Sequence, residues 1–583
     1  MITKAKNSNF NIYKNIWTIL NKQDQTEISA IFLFMILMVF LEMVGISSLI
    51  PIINLVSMNP EAPSDNLFIE SINEFISKNN ITNTIIVLTF SSIFALKTFI
   101  SFLYYYWYSS FSNRLIARLS KELLGGYLAR PFDFHLQKNS AELIRNTFSE
   151  VGTVVGAGIQ PIITIIIELL VTIGIAVILY LVNPKATILI LASLFLLSSA
   201  MFFILRPFLY QWGKKREISD GKRIQYINQG LGGIKEILIH SKEHFFLKQY
   251  SLVNDITAQS RMKYDAFTHL PRLMIELILI LGFSLYIWLF VIEANSAAKV
   301  DIVYIGVFII AILRMMPSVN RILSSFQKIK YGLPYVETLY EDLGYKPEPQ
   351  ITTINHVNLT FKNILDVNNI SYAYSGRDNT INDLTLQIKK GDRVALVGES
   401  GAGKSTLINI LLGLLQPSSG NIEVDGVNIY ENLNGWQDNL GYVPQDIYLL
   451  DDTIINNIAL WVKDDDLNMN QIKESVKLAA LGDLVGNLPE GLSTIIGENG
   501  VRFSGGEKQR LGIARALYAQ PSVLILDEIT SALDADTEKR VMDAIYSLDS
   551  DITIILVTHK YSSSYGCNKI FSIENGAVKN WLK

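Results

Sequence analysis

Six apolar segments in the first 325 residues constrain the fold of this chain more than any other feature. We place them near residues 28–57, 84–110, 153–182, 186–208, 270–293 and 301–325. Each reaches the roughly 20 residues that an apolar helix needs to cross a bilayer. The hydrophobic content of 49% and the mean hydropathy of +0.28 agree with membrane spans. The pattern predicts an α-helical transmembrane domain of six spans.

The connections between these segments differ in length and in charge. Long polar stretches follow the second segment (about 111–152) and the fourth (about 209–269), and both are rich in Lys and Arg. The opposite connections carry only Lys78, Lys185 and Lys299. The positive-inside rule therefore places the N-terminus and both long stretches in the cytoplasm. Because helical apolar spacing continues from Leu115 to Leu123, we expect long helices that extend below the membrane.

The first outer connection has a periodic pattern of its own. Apolar residues recur at Phe68, Ile72, Phe75 and Ile76, which predicts a short amphipathic external helix near 67–78. Such a helix either packs on its own domain or contacts lipid. The sequence leaves both roles open.

The composition changes after a linker at 346–366, where short β runs and Gly-rich turns begin. We therefore divide the chain into a transmembrane domain (1–345), this linker, and a second domain (367–583). Residues 1–350 carry an excess of six positive charges, and residues 351–583 carry an excess of ten negative charges. The acidic second half argues against nucleic acid as a partner. The single cysteine, Cys567, excludes a disulfide within the chain and a Cys-based metal site, and the polar first 27 residues do not resemble a cleavable signal peptide.

A glycine-rich loop in the second domain carries the strongest chemical signal. It follows the apolar run 394–397 and opens an apolar helix, and its residues are Gly398, Glu399, Ser400, Gly401, Ala402, Gly403, Lys404, Ser405 and Thr406. This is a P-loop in the context that the motif requires. Its backbone N–H groups and the helix N-terminus are suited to cradle phosphates. We expect Lys404 to reach the β- and γ-phosphates of ATP, and the Ser405 hydroxyl to bind Mg²⁺.

A second apolar run, 523–526, ends in two carboxylates, Asp527 and Glu528. Downstream of a P-loop, Asp527 is expected in the Mg²⁺ shell, and Glu528 is placed to orient or deprotonate the attacking water. Without the P-loop, the same pattern would be an ordinary buried strand that ends in an acidic turn.

Between these two motifs lies the run Phe503, Ser504, Gly505, Gly506 and Glu507, about twenty residues before the acidic strand end. In this position it resembles the signature sequence of ABC ATPases. The usual form is Leu-Ser-Gly-Gly-Gln, so Phe503 and Glu507 are departures. The resemblance also implies roles for four other residues: Tyr374 stacks on adenine, Gln445 senses Mg²⁺ and water, Asp534 belongs to the D-loop, and His559 is the switch histidine.

The resemblance extends over the whole chain, which is similar to type IV ABC exporters. It implies short coupling helices near Phe132–Ala141 and Gly230–Glu236, and nucleotide-binding domains that meet head to tail. Each ATP is then held between the P-loop of one subunit and the signature loop of the other. A chain with one copy of each element needs a partner, and a homodimer in a bacterial inner membrane is the expectation.

Three basic residues in or beside the spans bear on the substrate: Lys97, Arg272 and Arg314. Charges inside a membrane normally face a partner or a water-filled cavity. One interpretation is a cavity that binds an anionic head group such as a pyrophosphate. The other is structural pairing, with Arg272 next to Glu276 and with Glu42 and Glu168 next to Lys97 and Arg314.

The run from Leu313 to Arg321, the pair Pro271 and Arg272, and the small outer helix resemble the bacterial lipid-linked oligosaccharide flippases of the PglK type. That resemblance implies flipping of a polyprenyl-pyrophosphate oligosaccharide toward the periplasmic leaflet, for protein glycosylation. A lipid or drug exporter of the same fold is the alternative. An ATP-gated channel or a non-hydrolysing regulatory subunit fits Glu528 and His559 less well. A peptide exporter with a protease domain is excluded because it needs an N-terminal catalytic cysteine.

Overall fold

A computed structural model describes residues 20–48, 52, 74, 78–79, 82–182, 184–287, 302–344, 359–376, 378–529, 534–559 and 566–582. The chain separates into two compact units. One comprises Met1–Arg130 and His135–Pro349, and the other comprises Pro131–Phe134 and Gln350–Lys583. The exact domain boundaries and the linker stay predictions, since residues 345–358 lie outside the described part.

The first unit is helical. Its helices and those of the adjoining connection are α1 (Lys22–Ser47), α2 (Asn83–Leu128), α3 (Phe132–Gln137), α4 (Ser140–Arg145), α5 (Val151–Val154), α6 (Gln160–Val182), α7 (Pro184–Gly232), α8 (Ile234–Ile239), α9 (Glu243–Ile287) and α10 (Ile302–Leu343). Two π-helical turns, Asn146–Glu150 and Val155–Ile159, join α4, α5 and α6 into one continuous rod. Helix α6 packs against α10, and α7 packs against both α9 and α10.

Within the described residues, four helices are long and apolar enough to cross a membrane: Lys22–Ser47, Asn83–Leu128, Ser140–Leu181 and Leu191–Gly232. They coincide with the first four predicted segments. The last two segments fall on α9 and α10, but residues 288–301 between these helices lie outside the described part. The count of six spans is compatible with this arrangement and stays a prediction. Almost all of the predicted external helix near 67–78 also lies outside the described residues.

The long polar connections are helical, as the apolar spacing predicts. Helix α2 has 46 residues and α7 has 49, so α2 is about 69 Å long at a rise of about 1.5 Å per residue. A bilayer core is only about 30 Å thick, so a large part of each helix extends beyond the membrane. The short helices α3 and α8 lie where coupling helices are expected, and that role stays a prediction.

The second unit contains two sheets. The strands are β1 (Ile364–Ala373), β2 (Asn379–Lys389), β3 (Arg393–Val397), β4 (Ser419–Val424), β5 (Val427–Asn428), β6 (Leu440–Val443), β7 (Val523–Asp527), β8 (Thr553–Thr558), β9 (Lys569–Glu574) and β10 (Ala577–Leu582). The smaller, antiparallel sheet has the order β2-β1-β4-β5, and the larger has the order β10-β9-β3-β8-β7-β6. In the larger sheet β9, β3, β8, β7 and β6 are parallel. The apolar runs 394–397 and 523–526 are confirmed as the buried strands β3 and β7.

The described part of this unit also contains seven α-helices. They are α11 (Lys404–Leu411), α12 (Leu433–Gln437), α13 (Ile454–Ile458), α14 (Met469–Leu478), α15 (Gly482–Asn487), α16 (Gly505–Tyr518) and α17 (Ala535–Tyr546). Strands β7 and β8 are buried along their whole length, as expected of parallel strands covered on both faces. Two hydrophobic clusters form the core of the unit, one around α11 and the smaller sheet and the other around α14 and α16.

Substitution of Trp436 tests this description of the core, because the side chain is fully buried and makes one hydrogen bond. Its side chain is fully buried, its Nε1 donates to the Leu411 carbonyl at 2.7 Å, and its ring packs edge-on against Phe361. Trp436→Ala removes a large buried side chain and leaves a carbonyl at the end of α11 without its donor. We expect a loss of about 3–5 kcal/mol in stability.

The measurement is the thermal unfolding midpoint of the full-length protein in detergent. Trp461→Ala is the matched control, because that side chain is 80% exposed and its removal should change stability by only about 0.5 kcal/mol. Equal midpoints for the two variants would contradict this description of the core.

Candidate functional site

The carboxyl ends of four parallel strands meet at one edge of the larger sheet, and each is followed by a predicted site residue. Strand β3 leads to Gly398, β6 is followed by Gln445, β7 ends at Asp527 before Glu528, and β8 leads to His559. Ligands of open parallel sheets bind outside this edge. Residues that are more than 150 positions apart in sequence are therefore brought together by sheet topology.

The P-loop connects β3 to α11 and requires its glycines. Gly401 and Gly403 have φ angles of 84° and 101°, a region that side chains other than glycine rarely adopt. At Gly398, a Cβ atom would lie 2.4 Å from the Ile573 carbonyl oxygen. Glu399 and Ser400 are exposed on the loop, and Ala402 is buried beneath it. The loop thus presents its backbone to the outside, which suits phosphate binding.

Lys404 begins α11 and is largely buried, with 5% of its surface exposed. Its Nζ donates to the Gly398 carbonyl at 2.7 Å and to the Glu399 carbonyl at 2.9 Å, which holds the ammonium inside the curve of the loop. Burial lowers the pKa of Lys404, and the nearby carboxylates of Glu528 and Asp527 oppose that shift. The cation therefore lies where a phosphate held by the loop would meet it.

Glu528 is held by two other predicted catalytic residues. Gln445 Nε2 donates to Glu528 Oε2 at 2.9 Å, and His559 Nε2 contacts Glu528 Oε1. The Glu528 backbone has a φ of 52°, a left-handed conformation that costs a residue other than glycine about 1–3 kcal/mol. Its N–H donates to the Val557 carbonyl at 3.0 Å. The turn that follows β7 therefore directs this carboxylate between the ends of β6 and β8.

Both ring nitrogens of His559 contact groups of the site. With a proton on Nε2, the ring donates to the Glu528 carboxylate. Nδ1 lies 3.3 Å from Lys404 Nζ and 3.2 Å from the Gly398 carbonyl oxygen. The neutral ring accepts from Lys404 through Nδ1, and the doubly protonated ring donates from Nδ1 to Gly398. His559 thus links the carboxylate to the phosphate loop in either state.

Asp527 lies at the buried end of β7, with 8% of its surface exposed. Burial and the adjacent charge of Glu528 raise the pKa of Asp527 to about 6, against the opposing effects of Lys404 and His559. A divalent cation at this position would offset the negative charge of the buried Asp527 carboxylate. The predicted metal donors are the Asp527 carboxylate, the Ser405 hydroxyl and the Gln445 side chain, and oxygen donors suit Mg²⁺. The residues present therefore fit that ion.

Tyr374, the predicted adenine-stacking residue, comes directly after β1 and is half-buried. Its hydroxyl lies 3.2 Å from Thr406 Oγ1 in the first turn of α11. Its ring packs edge-on against Tyr372 at a centroid distance of 5.1 Å. These contacts tie the aromatic ring to the helix that follows the P-loop.

The signature residues form the N-terminus of α16. Ser504 is its N-cap, and Glu507 completes a capping box by accepting from the Ser504 backbone N–H at 2.7 Å and from the Ser504 hydroxyl at 2.8 Å. Glu507 and the more usual Gln can both form this capping box, which explains the departure at Glu507. The other departure, Phe503, is buried in the core around α16. Ser504 and Gly505 are exposed, Gly506 is half-buried, and no hydrogen bond joins Ser504 to the P-loop within the described chain.

Asp534 is the N-cap of α17 and accepts from the Thr537 N–H at 3.0 Å. This hydrogen bond lowers the pKa of its exposed carboxyl group. The preceding D-loop residues, 530–533, lie outside the described part of the chain. Asp534 therefore has a visible structural role as a helix cap.

The helical unit holds a cavity of about 810 Å³ lined by α1, α2, α6, α10 and the second π-helical turn. Its ionisable lining residues are Glu42, Lys97, Glu168, Arg321 and Lys328, together with Tyr104, Tyr105 and Tyr108. Lys97 pairs with Glu42, and Arg321 pairs with Glu168. Charged groups among membrane helices are costly unless they are paired or hydrated, so this cavity is a candidate substrate site.

The three basic residues singled out in the sequence lie in different places. Lys97 lines the cavity and pairs with Glu42, as the structural-pairing interpretation anticipates. Arg272 is exposed on α9, no ion pair joins it to Glu276 in the described chain, and it is not among the residues that line this cavity. The Arg314 side chain lies outside the described part. The partner of Glu168 is Arg321, which follows the expected partner, Arg314, by about two helical turns on α10.

Sequence reasoning did not assign Arg321, Lys328 or the three tyrosines to the cavity. A signal was available in the helical spacing. Tyr104 and Tyr108 are four residues apart on α2, and Arg321 and Lys328 are seven apart on α10, so each pair shares a helix face. The faces that meet, however, depend on how the helices pack, which spacing alone does not determine.

Known protein families match regions in both units of the chain. The family described as ABC transporter transmembrane region matches residues 28–316, and the family described as ABC transporter matches residues 381–531. The ATP-dependent lipid A-core flippase of Pectobacterium atrosepticum is 29% identical over 473 residues, covering 80% of each chain. The protein of the same description from Wigglesworthia glossinidia brevipalpis is 28% identical over 541 residues, covering 90% of this chain and 91% of the relative.

Among solved structures, a bacterial Atm1-family ABC exporter with ATP bound has a TM-score of 0.76 over 95% of both chains. Its sequence identity of 22% limits that comparison to the fold. Together, the two matched regions, the relatives and this fold account for both units of the chain. The chain is an ABC exporter, in which a helical transmembrane region is followed by an ATP-binding domain whose ATPase activity is coupled to transport.

Proposed function

We propose that hydrolysis depends on the cluster formed by Glu528, Gln445 and His559. The observation that carries this proposal is the pair of contacts that orients the Glu528 carboxylate at the edge of the sheet. Phosphoryl transfer depends on positioning and on charge stabilisation. Glu528 orients or deprotonates the attacking water, Lys404 stabilises the phosphates, and His559 links the two. Ser405, Asp527 and Gln445 would hold Mg²⁺, which would supply positive charge to the phosphate oxygens.

Glu528→Gln tests this assignment. The amide keeps the shape of the side chain but cannot accept a proton from water, so ATP binding should persist while turnover falls by about 10²–10⁴-fold. The variant should accumulate the ATP-bound dimer. Steady-state ATPase activity and retention of labelled ATP are the measurements. Glu474→Gln, at an exposed position on α14, is the control, and equal activity of the two variants would refute the role of Glu528.

We infer that the functional protein is a homodimer with two composite ATP sites. Ser504, at the exposed N-terminus of α16, would complete the site formed by the P-loop of the partner subunit. A helix N-terminus with a hydroxyl and free N–H groups is suited to a phosphate. The intact Glu528 and His559 in each chain imply hydrolysis at both sites.

A mixing experiment tests the composite sites. Lys404→Ala and Ser504→Arg each damage both sites of a homodimer. A heterodimer of the two variants has one intact site and one doubly damaged site. Nucleotide trapping should therefore return only in the mixture, to about a quarter of the wild-type amount, because about half of the dimers are heterodimers and each has one of its two sites intact. Trapping by either variant alone at the wild-type level would contradict the head-to-tail arrangement.

We propose that the exported substrate is a phosphate-bearing glycolipid, with a polyprenyl-pyrophosphate oligosaccharide as the first candidate. Two observations support it: the cationic residues of the membrane cavity and the resemblance of the α10 run to oligosaccharide flippases. Charge-assisted hydrogen bonds from Lys and Arg to phosphate are about twice as strong as neutral ones. Transfer would run from the cytoplasmic to the outer leaflet of a bacterial inner membrane.

A lipid A-like glycolipid is the second candidate, because the relatives described above are named as lipid A-core flippases. Both candidates carry phosphate on a sugar-bearing lipid, so the same cationic cavity could serve either. Parallel transfer assays in proteoliposomes, one with each glycolipid, distinguish them. A drug or neutral-lipid exporter would not need the cavity cations.

The triple variant Lys97→Ala, Arg272→Ala, Arg314→Ala tests anion recognition. If these residues bind the head group, transfer should be lost while ATP hydrolysis continues, because none of them belongs to the ATP site. If they serve only structural pairing, removing Lys97 strands the Glu42 carboxylate, and stability and hydrolysis should fall together. The measurements are glycolipid transfer and ATPase activity in the same proteoliposomes.

A matched control removes three exposed cations elsewhere, Lys215, Lys222 and Lys263. That protein should transfer glycolipid normally. Normal transfer by the Lys97→Ala, Arg272→Ala, Arg314→Ala protein as well would contradict a role for these three charges and would favour the general lipid or drug exporter.

A further inference from the structure

Two basic side chains lie beside each other where α7 and α10 leave the predicted apolar segments. Phe202 on α7 packs edge-on against Phe326 on α10 at a centroid distance of 5.5 Å. One helical turn further along each helix come Arg206 and Lys330. The next contact along the two helices joins later residues of both, so the helices run in the same direction. This register places the two cations side by side.

Neither cation has a counter-charge in contact with it within the described part of the chain. No hydrogen bond or ion pair joins Arg206 or Lys330 to another described residue. Burial and the charge of Arg206 lower the pKa of Lys330, and the carboxylate of Glu337 opposes that shift. Glu337 itself accepts from the Tyr210 hydroxyl at 3.2 Å. Two like charges therefore lie together, one of them half-buried, and an anion bound between them would stabilise both.

This pair is separate from the cavity described above. Lys328 lines that cavity, whereas neither Arg206 nor Lys330 does. Residues two apart on a helix lie on nearly opposite faces. Lys330 instead shares the face of Phe326, which contacts α7. A ligand of Arg206 and Lys330 would therefore lie outside the candidate substrate site.

The side chains around Arg206 change from apolar to amphipathic along α7. Just before it, Phe203 and Ile204 are 69% and 65% exposed. Just after it come Tyr210 and Trp212, which are of the types enriched at membrane–water interfaces. The connection that the positive-inside rule places in the cytoplasm begins at about residue 209. We therefore expect Arg206 at the level of the head groups of the cytoplasmic leaflet, with apolar surface continuing toward the lipid tails.

We propose that Arg206 and Lys330 bind the phosphate of an anionic phospholipid from the cytoplasmic leaflet. A guanidinium presents its N–H groups as a fork that fits two phosphate oxygens, and an ammonium adds a point charge. Basic pockets between membrane helices on the cytoplasmic side are suited to anionic head groups. Because this lipid stays outside the cavity, it is not the exported molecule. The inference therefore goes beyond the proposed function and does not depend on which glycolipid is exported.

Lipids with identical tails and different head groups test the site in the wild-type protein. The probes are dioleoylphosphatidylglycerol, which is anionic, and dioleoylphosphatidylcholine, which has no net charge. Affinity is measured by native mass spectrometry of the full-length protein in a non-ionic detergent. Each cation near the membrane surface contributes roughly a fivefold gain in affinity for an anionic lipid. We expect phosphatidylglycerol to bind at least roughly tenfold more tightly, and equal affinities would overturn the proposal.

The double variant Arg206→Gln, Lys330→Gln tests the assigned residues. It should lose roughly tenfold or more in affinity for phosphatidylglycerol and keep its affinity for phosphatidylcholine. The matched control, Lys222→Gln, Lys248→Gln, removes two exposed cations. Lys222 lies about 24 Å further along α7 than Arg206, so this control should keep the preference. An unchanged preference in the double variant would overturn the proposal.

Thermal unfolding provides a second measurement. The double variant removes two like charges that lie side by side, so without added lipid its midpoint should at least equal that of the wild type. Phosphatidylglycerol should raise the wild-type midpoint, because a ligand that binds only the folded state stabilises it. The double variant should show no such rise, and an equal rise in both proteins would contradict the site.

A single variant keeps the test decisive if the double variant does not fold. Arg206→Gln changes an exposed side chain and should weaken phosphatidylglycerol binding by roughly fivefold. The same mass spectra report the dimer fraction. A loss of dimer with an unchanged lipid preference would assign these cations to the subunit interface and overturn the proposal. None of these measurements involves glycolipid transfer, so failure of the lipid site leaves the proposed function standing.

Discussion

The contacts of the Glu528 carboxylate hold the candidate ATP site together. This carboxylate lies after β7, is held by Gln445 after β6 and His559 after β8, and is connected through His559 to the phosphate loop after β3. One side chain thus joins the ends of four parallel strands. The left-handed backbone at Glu528 shows that the surrounding sheet imposes this position against a local conformational preference.

The sequence was sufficient to predict that these residues meet at one edge of the sheet, because each part of the candidate site is local, and their roles stay predictions. The segments around Lys404, Asp527 and His559 each lie at or directly after the end of an apolar strand. The carboxyl ends of parallel strands lie at the same edge of their sheet. The contacts themselves could not be predicted from spacing. The capping of Ser504 by Glu507 is a local pattern that was available, and it accounts for a departure that the family resemblance left unexplained.

The membrane unit was less predictable for a physical reason. The apolar segments and their helical continuation follow from composition and periodicity, but pairing inside the unit depends on the rotation of each helix about its axis. Lys97 with Glu42 fits the expected structural pair. Glu168 instead pairs with Arg321, which lies seven residues, or about two helical turns, beyond Arg314. The roles of Arg272 and Arg314 in substrate binding stay predictions.

We propose that ATP hydrolysis by this exporter moves a phosphate-bearing glycolipid across the membrane. The decisive measurement is the transfer of a polyprenyl-pyrophosphate oligosaccharide between the leaflets of proteoliposomes that contain the wild-type protein. Access of the glycan to an external glycosidase reports the leaflet. We expect transfer with ATP and Mg²⁺ and no transfer with a non-hydrolysable ATP analogue. Equal rates under the two conditions, or hydrolysis without transfer of this lipid or of a lipid A-like glycolipid, would show that hydrolysis does not drive glycolipid export.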